Sequence, residues 1–185
     1  MAVTLEEIDQ VWKNADCLWS KEQIARAIDE IGQQVEARLE NANPVVLSVM
    51  RGGLVFTSEL MMRLNFPLQL DYVHVTRYGC SLLGDELQWT VTPQAIIENR
   101  TVLVIDDILD EGETLDAIVG ACMAQGAKEV FTAVLVDKQH DRKFKPGIKA
   151  NFTALEVEDR FVFGYGMDYK SYLRNAAGIY AVKED

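Results

Sequence analysis

The run Asp106-Asp107-Ile108-Leu109-Asp110-Glu111-Gly112-Glu113-Thr114 concentrates side chains that can do chemistry. Paired carboxylates can accept sugar hydroxyls, a third carboxylate can take or return a proton, and a glycine lets backbone amides close around a phosphate. Six carboxylates fall between Asp106 and Asp116 with no basic residue among them, in a chain whose net charge is −11. Such crowding is repulsive unless a cation or a hydroxyl-bearing ligand is held there. The same letters also fit a capped helix start with solvated acids, and the spacing alone leaves both readings open.

The elements that must position this run can be read around it. Thr101-Val-Leu-Val-Ile105 is a continuous apolar stretch, as expected of a strand buried on both faces, and a helical pattern follows from about Glu113 to Gln125. Ligands in open α/β sheets bind beyond the carboxyl ends of strands, and a helix N-terminus offers amides to an anion. Val45 to Met50 and Val130 to Val136 are further continuous runs, Leu68 to Val75 alternates, and a helix is expected from about Gly53 to Leu64. Strands separated by helices predict an α/β fold, an open, mainly parallel sheet with helices on both faces. Two capping boxes, Thr4 to Glu7 and Ser20 to Gln23, open N-terminal helices, the second with an apolar stripe from Ile24 to Leu39. After Lys138 the apolar pieces shorten to Phe152–Val157, Phe161–Phe163 and Ile179–Val182. The polar, glycine-containing stretch from Tyr78 to Thr92 reads as one long connection able to act as a lid.

Composition narrows the partners. The 185 residues carry 18 basic against 29 acidic side chains and are 49% hydrophobic, which predicts one globular domain. Sequence-independent nucleic-acid binding and membrane-surface binding both need a basic face, so neither is expected. No apolar run approaches the roughly 18 residues of a membrane span, and the acidic N-terminus is unlike a signal peptide, so a cytoplasmic protein is expected. Three cysteines without a C-x-x-C pair and only two histidines argue against a zinc or disulfide framework. His140, two residues beyond Lys138, reads as a surface histidine.

Four segments in order carry a resemblance that covers roughly residues 45 to 182. Val102 to Leu115 resembles the phosphoribosyl-pyrophosphate motif of the type I phosphoribosyltransferases. Ser48-Val-Met-Arg51-Gly52-Gly53, Leu135-Val-Asp-Lys138, and Asp159-Arg-Phe161-Val162-Phe-Gly-Tyr-Gly-Met-Asp168-Tyr169 followed by Arg174 resemble segments of the 6-oxopurine branch, the hypoxanthine-guanine phosphoribosyltransferases. The resemblance implies purine salvage: transfer of phosphoribose from phosphoribosyl pyrophosphate to hypoxanthine or guanine, with Mg²⁺ as cofactor. It also implies a hood over the base, formed from about 1–40 and 150–185, on a core of about 40–140.

The resemblance further implies roles by position. Asp106 and Asp107 accept the ribose hydroxyls, Asp110 is the acid-base residue beside purine N7, and the backbone of Asp110, Glu111, Gly112, Glu113 and Thr114, with the Thr114 hydroxyl, holds the 5′-phosphate. Arg51, Gly52 and Arg174 meet pyrophosphate. Lys138 reads the purine O6, Phe161 stacks on the ring, Val162 offers main-chain groups, and Asp168 lies near the base and helps anchor Mg²⁺, as Asp106 and Asp107 do through the sugar. Arg77 and Tyr78 belong to the mobile loop, where many relatives have Ser-Tyr. Asp106 replaces the more common Glu, and Glu111 and Glu113 stand where many relatives have Thr and a basic residue. A xanthine-preferring enzyme and a non-catalytic sensor of phosphoribosyl pyrophosphate are the alternatives, while a related RNA-binding regulator is opposed by the charge. The family implies a homodimer or homotetramer.

Overall fold

The computed structural model describes residues 3–78 and 86–183. The chain runs α1 (Leu5–Asn14), β1 (Asp16–Trp19), α2 (Lys21–Leu39), β2 (Val45–Met50), α3 (Leu54–Met61), β3 (Gln69–Tyr78), β4 (Glu86–Val91), β5 (Thr101–Leu109), α4 (Glu113–Ala124), β6 (Glu129–Gln139), β7 (Phe152–Glu158), β8 (Val162–Phe163) and β9 (Ile179–Ala181). Thr4 accepts from the Glu7 amide to cap α1, and Ser20 and Gln23 close a reciprocal capping box on α2, so both helices start where the hydroxyl meets an otherwise unpaired amide.

Six strands form one sheet in the order β4-β3-β2-β5-β6-β7, parallel throughout except for the antiparallel β3–β4 pair. Alternation along β5 explains why both faces are covered. Leu103 and Ile105 pack with Ile24, Ile28 and Ile31 of α2 and Phe56 and Leu60 of α3, whereas Val102 and Val104 pack with Leu115 and Ile118 of α4. Each buried aliphatic contributes roughly 1.5–3 kcal/mol, and a one-residue slip would exchange the two sets, so the register from Thr101↔Glu129 to Leu109↔Asp137 is strongly specified.

The chain leaves β2 through α3 to β3 on one side, and leaves β5 through α4 to β6 on the other. Adjacent β2 and β5 therefore have exits that diverge, which opens a crevice at their carboxyl ends. A second, three-stranded antiparallel sheet, β1-β9-β8, is covered by α1, whose Ile8 packs with Phe163, Leu173 and Ala176. This small unit presses on the turn after β2. Gly166 has φ +108°, and a Cβ there would lie 2.1 Å from the Gly52 carbonyl oxygen.

Several expectations differ from this architecture. The expected hood takes in about 1–40 and 150–185, but α2 lies on the large sheet, its apolar stripe packed along β7 and in one core with Leu103 and Ile105 of β5, and β7 is the sheet's edge strand. Strand β1 is too short, at four residues, for any periodicity to reveal it. The expected lid from 78 to 92 is partly strand, since β4 pairs back on β3. Its middle, residues 79–85, and the side chains of Arg77 and Tyr78 lie outside the described residues. No helix among the described residues is long and apolar enough to cross a membrane.

Candidate active site

A cavity of about 460 Å³ occupies the crevice, with walls from the ends of β2 and β5, the head of α4, and the 168–174 segment. Gly52, Asp106, Asp107, Asp110, Glu111, Gly112, Thr114, Asp168 and Arg174 all line it. Strand β5 runs through Leu109, four residues beyond the apolar run, because its neighbour β6 is equally long and keeps pairing with it. Asp106 and Asp107 thus sit on the strand itself and are held by its rigidity.

Asp106 is 8% exposed, and its Oδ1 accepts from the Asp107 amide at 2.9 Å; Asp107 Oδ1 accepts from the Ile108 amide at 2.9 Å. Burial, reinforced by the neighbouring Asp107 carboxylate, pushes Asp106 well above the ordinary range. Burial also raises Asp107, against the pull of its hydrogen bonds and of the Arg174 charge. Gly52 lies opposite this residue, where a Cβ would stand 1.8 Å from Asp107 Oδ2 and would require that carboxylate or the turn to shift.

The head of α4 forms the next wall. Gly112 is its N-cap at φ +91°, a left-handed conformation that favours glycine, and no side chain caps the helix there. The first-turn amides of α4, with no intrahelical acceptor, lie beside Thr114 at the cavity wall. Glu113 begins the helix, as its pattern predicts. Across the cavity Arg174 donates to the Gly166 carbonyl at 2.6 Å and to Asp168 Oδ1 at 2.5 Å, while Asp168 Oδ2 accepts from the Ser171 amide at 2.7 Å. Arg51 stands exposed in the turn that follows a cis Met50–Arg51 peptide, between the lining residues Met50 and Gly52.

Asp110 links this cavity to a second group of residues. Lys138, at the end of β6 and 8% exposed, donates to Asp110 Oδ2 at 2.8 Å. His140 Nε2 lies 2.7 Å from Asp110 Oδ1, with its imidazole only 2% exposed. Burial raises the Asp110 pKa, but the hydrogen bonds from Lys138 and His140, with the Lys138 charge, prevail and hold it below the ordinary range. Phe161 is 54% exposed and meets Tyr169 edge-on at 5.7 Å, so one ring face stays open, while the Val162 side chain is buried in β8. Phe161 is therefore not core filling.

The segment after β6 supplies residues that the sequence reading left out. His140 is an enclosed partner of Asp110 and not a surface residue, because the chain folds back on the 109–111 turn. Lys143 Nζ donates to the carbonyls of Leu109 at 2.9 Å and Asp110 at 2.7 Å, and to Asp137 Oδ1 at 2.7 Å. The Phe144 amide donates to the Glu111 carbonyl at 2.8 Å. The only sequence signal was the offset of His140 from Lys138; nothing marked Lys143.

Among the described residues, no three His, Cys, Asp or Glu side chains converge as a metal cage. The cavity instead offers the Asp106–Asp107 pair on one wall and Asp168 on the other. That donor set fits a hard divalent ion such as Mg²⁺, which keeps one or two carboxylates and takes its remaining oxygens from water and a phosphorylated ligand.

Residues 15–170 match the phosphoribosyl transferase domain family. The chain is similar to the hypoxanthine-guanine phosphoribosyltransferase of Bacillus subtilis, with 33% identity over 90% of this chain and 92% of that protein. Among solved structures it is similar to a hypoxanthine phosphoribosyltransferase from Staphylococcus aureus, at 27% identity and a TM-score of 0.86 over 97% of both chains. It is also similar to a hypoxanthine-guanine-xanthine phosphoribosyltransferase, at 27% identity and a TM-score of 0.82 over 93% of this chain and 99% of that one.

Proposed function

The chain belongs to the phosphoribosyl transferase domain family, and from that premise we propose that it is a purine-salvage enzyme, a hypoxanthine-guanine phosphoribosyltransferase acting in the cytoplasm. It transfers the 5-phosphoribosyl group of phosphoribosyl pyrophosphate to hypoxanthine and guanine, giving IMP and GMP and releasing pyrophosphate. The observation that carries the assignment of the site is the placing of Asp106, Asp107 and Asp110 on one cavity at the β2–β5 crevice, with Lys138 hydrogen-bonded to Asp110.

Asp106 and Asp107 accept the ribose hydroxyls, which suits a pair of carboxyl groups held side by side at the cavity wall. The amides from Asp110 to Thr114, with the Thr114 hydroxyl, hold the 5′-phosphate at the head of α4. Arg51, the Gly52 amide and Arg174 take pyrophosphate. Lys138 donates to the purine O6, Phe161 stacks on the ring and Val162 offers its main chain to the base edge. As purine N9 attacks ribose C1, the bond to pyrophosphate breaks and its electron pair leaves with pyrophosphate. The proton on N7 passes to Asp110, and its bonding electrons stay in the ring. Asp168, with Asp106 and Asp107, would hold Mg²⁺, which would supply positive charge against the leaving pyrophosphate. Arg77, Tyr78 and the residues after them exclude water once substrate is bound. The assembly is a homodimer or homotetramer, as in the family.

Nucleotide formation from phosphoribosyl pyrophosphate, Mg²⁺ and each free base tests this reading. IMP and GMP are expected. Product from xanthine alone would make the enzyme xanthine-preferring, and phosphoribosyl-pyrophosphate binding without product from any base would make it a sensor.

A further inference from the structure

We propose that His140 is a positioning residue for the acid-base carboxylate: its Nε2–H holds Asp110 Oδ1, so that Oδ2 alone is presented to the purine. The proposal rests on the reading of Asp110 given above and adds to it a residue outside the family motifs named for this chain.

The tautomer follows from the hydrogen bonds. The Arg142 backbone N–H donates to His140 Nδ1 at 3.0 Å. A nitrogen that accepts carries a lone pair, so the imidazole is neutral and its proton resides on Nε2. That proton points at Asp110 Oδ1, 2.7 Å away. The contact is thus a directed hydrogen bond from a neutral ring whose other nitrogen is anchored to the backbone.

Both Asp110 oxygens are engaged before substrate arrives, Oδ1 by His140 and Oδ2 by Lys138. The two donors differ in freedom. Lys138 ends a flexible four-carbon stem and has a second task at the purine O6. His140 has a short side chain, an imidazole 2% exposed, and a backbone amide on its far nitrogen. On a 6-oxopurine, O6 and N7 lie side by side on one edge. When Lys138 turns to O6 it releases Oδ2 next to N7, while Oδ1 stays held. Without His140 the carboxylate could rotate about its Cβ–Cγ bond, and its lone pairs would be presented to N7 in competing orientations.

The surroundings make this a built arrangement. Lys143 holds the Asp110 carbonyl and the Phe144 amide holds that of Glu111, so the same segment that positions the carboxylate also fixes its backbone. Arg142 forks onto both oxygens of Asp159, tying the segment to the strand that leads to Phe161. The charged groups facing Asp110 and His140 are therefore Lys138 from β6, Arg142 and Lys143 from the segment, Glu111 from the turn and Asp159 from beyond β7.

His140→Ala, His140→Gln and wild type, compared by steady-state kinetics with hypoxanthine, by melting temperature and by ¹⁵N NMR of the imidazoles, test the proposal. With only two histidines in the chain, the signal missing from His140→Gln is that of His140. The expected spectrum shows a neutral ring with its proton on Nε2. His140→Ala is expected to lower kcat about 10–100-fold, with the KM for phosphoribosyl pyrophosphate within about 2-fold. The acid limb of its pH profile should move to higher pH, because a donor that favours ionised Asp110 is gone. His140→Gln, whose amide can still donate to Oδ1, should recover most of kcat. Wild-type kcat and pH profile in His140→Ala, a proton on Nδ1 in the spectrum, or loss in both variants that only tracks a lower melting temperature would overturn the proposal. Wild type that makes no nucleotide from any base would instead overturn the underlying reading of the site, and the catalytic role of His140 with it, while the NMR would still report the hydrogen bond.

Discussion

Asp106 and Asp110 are chemically identical side chains that four residues of chain place in opposite electrostatic settings. Asp110 is half-buried between two donors and ionises easily, whereas Asp106 is buried against another carboxylate and resists ionisation. The two carboxyl groups proposed for proton transfer and for the sugar hydroxyls differ in this way. For Asp110→Asn, turnover should collapse while phosphoribosyl-pyrophosphate binding measured by calorimetry survives; equal turnover would remove the acid-base role. For Asp106 the sign of the linkage runs the other way from the usual carboxylate. Its folded pKa is raised, so the fold loses stability as pH climbs from the ordinary value of 3.8 through the raised one. Asparagine cannot ionise. Asp106→Asn should therefore melt higher than wild type near neutral pH, by about 2–4 °C for each kcal/mol of relieved repulsion, and the gap should close near pH 4. Scanning calorimetry across that range checks it, and a constant gap would contradict it. The same variant should bind phosphoribosyl pyrophosphate more weakly, a trade of stability for function.

Among the elements, the turns matter more than the strands that carry them. Three backbones approach one another at the crevice: the turn after β2, the end of β5 and the 164–168 segment. Gly52 faces Asp107 on one side and Gly166 on the other, with no room for a Cβ at either glycine. Gly52→Ala should displace the turn or the Asp107 carboxylate, raise the KM for phosphoribosyl pyrophosphate at least about 10-fold and lower stability by about 1–3 kcal/mol. An unchanged KM and denaturation midpoint would show that the contact yields freely. The segment from His140 to Phe144 works at this scale too, because one short stretch holds a side chain and three carbonyls of the 109–111 turn.

For the whole molecule, a protein of net charge −11 must bind a ligand bearing several phosphates. Long-range electrostatics oppose this, and on the proposed reading the opposition is met locally by helix-end amides, Arg51, Arg174 and a divalent ion. Removing the metal with a chelator should abolish nucleotide formation, and Mg²⁺ should restore it. The melting temperature of the substrate-free protein should stay unchanged, because among the described residues no cage of side chains forms for the ion. A chelator-induced drop in melting temperature would reveal a structural metal.

Much of this was legible before any coordinates. Continuous apolar runs marked β2, β5 and β6 because strands buried on both faces need no alternation, and the acidic run declared itself by spacing and charge. Strand β1, four residues between two helices, offered no period to read. The sequence by itself determined the parallel core, the acidic turn at the end of β5 and the order of the four motifs, since these depend on local pattern. Only the tertiary structure decided that α2 covers the large sheet, that Gly166 touches Gly52, and that His140 and Lys143 close on a turn about 30 residues earlier. Such contacts join residues distant in the chain, and hydrogen bonds between them leave no periodic mark on it.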